Sequence, residues 1–178
     1  MGKLWEFLHY AYETACKGFD TGEDPVVVAR AVRVLAEKSG IYGMIGGQVV
    51  DVLAGDSLVD KERLDFIYRL KTGALIEASM VIGGILGGAG EEELTVIEQI
   101  ASDVGLAFQI QDDILDVTSS LEVLGKPVGS DEKNSKTTYV TIEGLEQSKE
   151  DVKVISERAV KNIHKLKSNN KRENLFLE

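Results

Sequence analysis

A chain of 178 residues, 43% hydrophobic and 28% charged, has the make-up of an ordinary globular protein, and at this length about 70% of the extended surface can be buried. The net charge of −10 and pI of about 4.8 argue against nucleic acid or an anionic membrane as a general partner. They leave room for a phosphorylated ligand if metal ions neutralise the local acid. The single cysteine, Cys16, has no internal partner for a disulfide, which fits a reducing cytoplasm.

Helical periodicity runs through nearly the whole chain. Leu4, Phe7, Leu8, Ala11 and Ala15 fall at i, i+3, i+4 spacing, and Glu6 and Glu13 among them mark an amphipathic helix and not a signal peptide. "FDTGEDP" breaks the pattern. Asp24 then suits an N-cap with Pro25 at the first helical position. The next helix is predicted through "VVVARAVRVLAEKSG" and, after a kink at Ser39–Gly40, on to Val52. A loop, "LAGDSLVD", precedes a long helix from about Lys61 to Leu86. "GGAGEEE" closes that helix and opens another, from about Glu93 to Ser119, with acid in its first turn. A polar loop, "LGKPVGSDEKNSK", leads to a last helical region from about Thr137 to Lys167, and "SNNKREN" ends it. The longest uncharged run, Ala78 to Gly90, is too short to span a bilayer, which needs roughly 20 apolar residues. With no hairpin signal and no internal repeat, residues 1–178 read as one all-α domain.

Three stretches carry candidate chemistry. "FQIQDDILD" sets Gln109, Asp112, Asp113 and Asp116 as one polar stripe on a helix, spread over roughly 100° and flanked by apolar residues. A solvated acidic face is the plain reading. A hard cation is the sharper one, since Mg²⁺ takes one or two carboxylates together with water and substrate phosphates. "RLKTGALI" puts Lys71 and Thr72 beside Gly73 inside a long helix, where glycine costs about 1 kcal/mol relative to alanine; close packing or backbone access to a ligand would offset that. "GMIGGQVVDVLAGD" places Gln48 and Asp51 on one face of a glycine-thinned helix, which also reads as a tight glycine crossing between core helices.

In this order, "GGQVVD", "LKTGALI", "FQIQDDILD" and "GKPVGSDEKNSKTTY" resemble the C-terminal two-thirds of a trans-isoprenyl diphosphate synthase, a bacterial farnesyl diphosphate synthase (geranyltranstransferase) above all, with geranylgeranyl diphosphate synthases close behind. The resemblance runs from about Leu4 to Lys167. It implies an antiparallel helical bundle of the isoprenoid synthase type around a deep cavity, usually a homodimer. The implied reaction is Mg²⁺-dependent head-to-tail condensation of isopentenyl diphosphate with an allylic diphosphate, by ionisation, condensation and elimination.

Residue by residue, the resemblance makes Asp112 a Mg²⁺ ligand at the head of the second aspartate-rich motif, which Asp113 and Asp116 complete in a more supporting and orienting role. It makes Lys71 the grip on the allylic diphosphate and Thr72 its neighbour at the reacting centre. Gln109 lies near the allylic group, Gln48 and Asp51 near the reacting carbons and the metal shell, and Phe108 in the isopentenyl pocket. Lys126 and Lys136 are loop lysines that reach the diphosphate or its metal. Ser135, where glycine is common, is a minor departure.

Other parts of the pattern are missing. The family's first aspartate-rich motif lies upstream of the segment that "MGKLWEFLHYAYE" resembles, as do the basic residues for isopentenyl diphosphate. "NLFLE" ends where the last helix usually continues. These 178 residues hold no second Asp-Asp pair. The chain therefore reads as a prenyltransferase truncated at the N-terminus. The other readings are a non-catalytic helical subunit or fragment that pairs with a missing N-terminal part, and a terpene cyclase, against which "KTG" and "GK" weigh. The purified chain is expected to turn over geranyl and isopentenyl diphosphates poorly or not at all, read by mass spectrometry of the products; full family-like activity would contradict this.

Overall fold

The computed structural model describes residues 2–55, 58–118 and 137–166, with the side chains of residues 2–5 outside the description. Every regular element among them is helical: α1 (Gly2–Cys16) with a 3₁₀ turn after it (Lys17–Asp20), α2 (Pro25–Ser39), α3 (Met44–Ala54), α4 (Lys61–Tyr68), a π-helical turn (Arg69–Gly73), α5 (Ala74–Leu86), α6 (Glu91–Thr118), α7 (Tyr139–Glu143) and α8 (Leu145–Ile163). The all-α expectation holds. Among the described residues no helix is long and apolar enough to cross a membrane.

Local chemistry sets the ends. Asp24 caps α2 by accepting from the Val26 N–H, with Pro25 following it, and Asp60 caps α4 by accepting from Arg63 N–H. The kink expected at Ser39–Gly40 is a full break instead. The Gly43 and Ile45 N–H groups both turn back onto the Gly40 carbonyl, at 3.0 and 3.2 Å, and a new helix starts at Met44. Gly144, at φ +83°, likewise divides the last helical region into α7 and α8. The long helix from Lys61 to Leu86 is present, but the π-turn interrupts its regular winding at the "RLKTG" segment.

The bundle is antiparallel, as pairs of touching residues show. Along α4–α5 against α6, Tyr68 meets Asp113 and Thr72 meets Gln109; Gly73 meets Gly105, and Gly84 meets Leu94 and Ile97. One number rises as the other falls. The same holds for α6 against α8, where Asp103 takes a bidentate bond from Arg158 and Ile100 packs with Ala159 and Ile163. The largest apolar cluster, which includes Leu64, Ile67, Ile110, Ile114 and Ile155, sits where α4, α6 and α8 meet.

Two close approaches position the rest. A Cβ at Gly47 would stand 2.4 Å from the Lys71 backbone nitrogen, and one at Gly105 would stand 2.9 Å from Gly73 Cα. α3 and α6 therefore both press directly on the backbone of the π-turn. Close packing compensates the glycines here. Gly47→Ala is expected to destabilise the fold by about 2–3 kcal/mol, because backbone must move to admit the methyl. Gly83→Ala, where nothing lies within 4 Å, should instead stabilise by about 0.5–1 kcal/mol through helix propensity. Urea unfolding of the two variants checks both signs.

A part-buried ion cluster joins α2, α5 and α6. Lys38 Nζ donates to Glu77 at 2.6 Å and to Glu98 at 2.8 Å, and Glu77 is buried. Burial by itself lowers the Lys38 ammonium, but the bonds and charges of Glu77 and Glu98 outweigh it and hold the group above its ordinary 10.5. A folded-state value above the unfolded one gives stability that is complete below pH 10.5 and is lost as pH climbs through the folded value. Lys38→Met should therefore cost about 2 kcal/mol at neutral pH by stranding Glu77. That gap should narrow in strong alkali; a gap constant across the alkaline range would contradict the assignment.

Candidate active site

The π-turn carries the lysine. Inserting a residue into an α-helix bulges the backbone and re-aims side chains, and such turns recur at functional sites. Lys71 Nζ reaches across to α3 and donates to Asp51 Oδ2 at 2.6 Å; the Asp51 side chain is 15% exposed and that of Lys71 32%. Next to it, Thr72 Oγ1 donates to Gln109 Oε1 on α6 at 3.1 Å. Lys71 and Thr72 line a cavity of about 520 Å³ with Gln48, Ser79, Met44, Leu75, Ile76 and Met80. A second, almost wholly apolar cavity of about 200 Å³ shares Met44, Leu75 and Ser79 with the first and adds Leu8, Leu35, Ala78 and Ile82. The arrangement offers a cationic and hydroxyl-bearing wall that opens onto apolar surface.

Five of the sequence candidates are thus brought together by direct contact or a shared cavity: Gln48, Asp51, Lys71, Thr72 and Gln109. Phe108, beside Gln109, is 57% exposed and lies outside that cavity's lining. Lys126 and Lys136 fall outside the described residues.

The aspartates do not behave as one stripe. Asp112 is half-buried, whereas Asp113 and Asp116 are buried. Asp113 Oδ2 accepts from the Tyr68 hydroxyl at 2.5 Å and from the Tyr139 N–H at 2.7 Å. Among the described residues no three His, Cys, Asp or Glu side chains converge on a point that could hold a metal. Mg²⁺ does not require three, because water and substrate phosphate oxygens complete its octahedron around one or two carboxylates. Asp112, the one of the three aspartates that is not buried, carries hard oxygen donors of the kind that ion takes.

Tyr68 and Tyr139 escaped the sequence reading. The available signal was a tyrosine on the buried face of a helix, whose hydroxyl must find a partner, one turn before Lys71. Tyr139 is tied into a polar cluster: Lys61 donates to its hydroxyl at 3.0 Å, and that hydroxyl donates to Asp151 at 2.8 Å. Burial raises the Tyr139 phenol, and Lys61 only partly opposes it.

The family model for polyprenyl synthetase matches residues 9–175. The chain belongs to the polyprenyl synthetase family. It is 43% identical to the chloroplastic geranylfarnesyl diphosphate synthase of Leucosceptrum canum, over 81% of this chain and 39% of that protein. It is 37% identical to the farnesyl diphosphate synthase of Geobacillus stearothermophilus, over 80% of this chain and 48% of that protein. The crystal structure of the Helicobacter pylori geranyltransferase, complexed with magnesium and isoprenyl diphosphate, superposes with a TM-score of 0.77 at 28% identity, covering 90% of this chain and 52% of that one. This polyprenyl synthetase chain thus spans about half or less of the relatives it matches.

Proposed function

We propose that this chain binds an allylic diphosphate with Mg²⁺ and supplies the diphosphate-gripping side of a prenyltransferase that joins the allylic group head to tail with isopentenyl diphosphate, to give farnesyl or geranylgeranyl diphosphate. The observation that carries this reading is the Lys71–Thr72 pair, set on a π-turn in the wall of a mostly apolar cavity and bonded to Asp51 on one side and Gln109 on the other. The chemistry needs those features. As the allylic C–O bond breaks, the departing diphosphate gathers negative charge, which a fixed ammonium stabilises. The carbocation left behind needs apolar walls that keep water from capturing it. Met44, Leu75, Ile76 and Met80 supply such walls.

In this reading Lys71 donates to the diphosphate, with Asp51 holding its chain extended toward the cavity. Thr72 and Gln109, already bonded to each other, face the allylic carbons, and Gln48 lines the same space. Asp112 would hold Mg²⁺, with Asp113 and Asp116 supporting and orienting it from the same helix. Bound Mg²⁺ supplies charge to neutralise the leaving diphosphate. By the resemblance, Lys126 and Lys136 would contribute positive charge to the diphosphate or its metal, and Phe108 would border the isopentenyl side. Residues 1–178 act as one domain, as a homodimer and in the cytoplasm; the lone Cys16 suits that compartment.

A second reading, a helical subunit that works only with another chain, is favoured by one observation. α3 turns Val49, Val52 and Leu53 outward, the last 75% exposed. A relative 48% identical over 71% of this chain, from Arabidopsis thaliana, is named a heterodimeric geranylgeranyl pyrophosphate synthase large subunit.

Asp112→Ala tests the first reading. It should abolish the Mg²⁺-dependent binding of geranyl diphosphate in calorimetry while the chain still unfolds cooperatively, since Asp112 is only half-buried. Unchanged affinity would return Asp112 to a solvated acidic face.

A further inference from the structure

Asp113 joins three separate parts of the chain. It sits on α6 next to Asp112, and its Oδ2 is held by Tyr68, the last residue of α4, and by the backbone of Tyr139, the first residue of α7. Tyr68 is buried and directly precedes the π-turn that carries Lys71. One carboxylate oxygen therefore fixes the rotation of α6 against the segment bearing the lysine. A phenol that donates to a buried carboxylate makes a short, charge-assisted bond, and two donors on a single oxygen leave that side chain one orientation.

We propose that Tyr68 is a positioning residue for the aspartate pair. Its hydroxyl anchors Asp113 so that the same helical turn presents Asp112 at a fixed height and angle relative to Lys71. The inference rests on the Mg²⁺–diphosphate reading above and goes beyond it, because neither the motif nor the cavity lining includes Tyr68. The two neighbouring aspartates have different surroundings. Asp113 is buried and bonded to Tyr68 and Tyr139, whereas Asp112 is half-buried.

The test titrates geranyl diphosphate into the full 178-residue chain at a series of Mg²⁺ concentrations. Tyr68→Phe removes one oxygen and keeps the ring in the apolar cluster. It should raise the Mg²⁺ needed for half-saturation about tenfold, as loss of an outer partner of a metal site does. Tyr12→Phe is the matched control: it deletes a hydroxyl bonded to Ser39 at 2.8 Å, neither residue lining the Lys71 cavity, and should leave the Mg²⁺ requirement where it was. A Tyr68→Phe chain that melts earlier but keeps the wild-type Mg²⁺ requirement would overturn the proposal and make the bond purely structural. If Tyr68→Phe alone fails to fold, Asp113→Asn removes the stranded charge while its amide oxygen still accepts from Tyr68. Adding Tyr68→Phe to that background must then raise the Mg²⁺ requirement again; no rise overturns the proposal. A wild-type chain without Mg²⁺-dependent binding would defeat the functional reading itself, and this inference with it.

Discussion

Backbone presses on backbone where Gly47 meets Lys71 and Gly105 meets Gly73. At that crossing α3 and α6 both lie directly against the backbone of the π-turn. Interiors pack at the density of organic crystals and yield little. The crossing therefore sets how far Lys71 must reach to Asp51, and how Thr72 stands toward Gln109. The helix-propensity cost of glycine, about 1 kcal/mol each, is offset by a contact no larger residue could make.

Electrostatics complete what packing begins. A chain with net charge −10 has acid in excess, yet three of its shielded carboxylates are matched with donors. Glu77 has Lys38, Asp103 has Arg158, and Asp113 has a phenol and an amide. Burying an ion without such donors costs several kcal/mol. The same rule explains why Lys71 sits against Asp51 in a cavity otherwise lined mostly by apolar side chains. An ammonium already held in place loses little freedom when an anionic ligand arrives.

Much of this was legible in the sequence, for identifiable reasons. Periodicity gave the helices, and Asp24–Pro25 gave one boundary to the residue. The pairing of Gln48 and Asp51 on one face followed from i,i+3 spacing, and the glycine crossing from the cost of glycine in a helix. The π-turn was not legible, because one inserted residue shifts the phase of a helix without any composition signal. Nor, from helical spacing alone, was the burial of Asp113 beside a half-buried Asp112. Helical spacing placed both on one stripe, but only the positions of Tyr68 and Tyr139, 45 and 26 residues away in sequence, reveal which one turns inward. The full break at Gly40–Gly43 needed the fold-back onto the Gly40 carbonyl to be seen.

A crystal structure of this chain with Mg²⁺ and a non-hydrolysable geranyl diphosphate analogue would decide most directly whether the Lys71 cavity receives the diphosphate. The prediction is a diphosphate oxygen within hydrogen-bonding distance of Lys71 Nζ, a metal ion on Asp112, and the prenyl tail running along Leu75 and Met80. A ligand bound elsewhere, or Asp112 turned to solvent with no metal beside it, would contradict the assignment of this site.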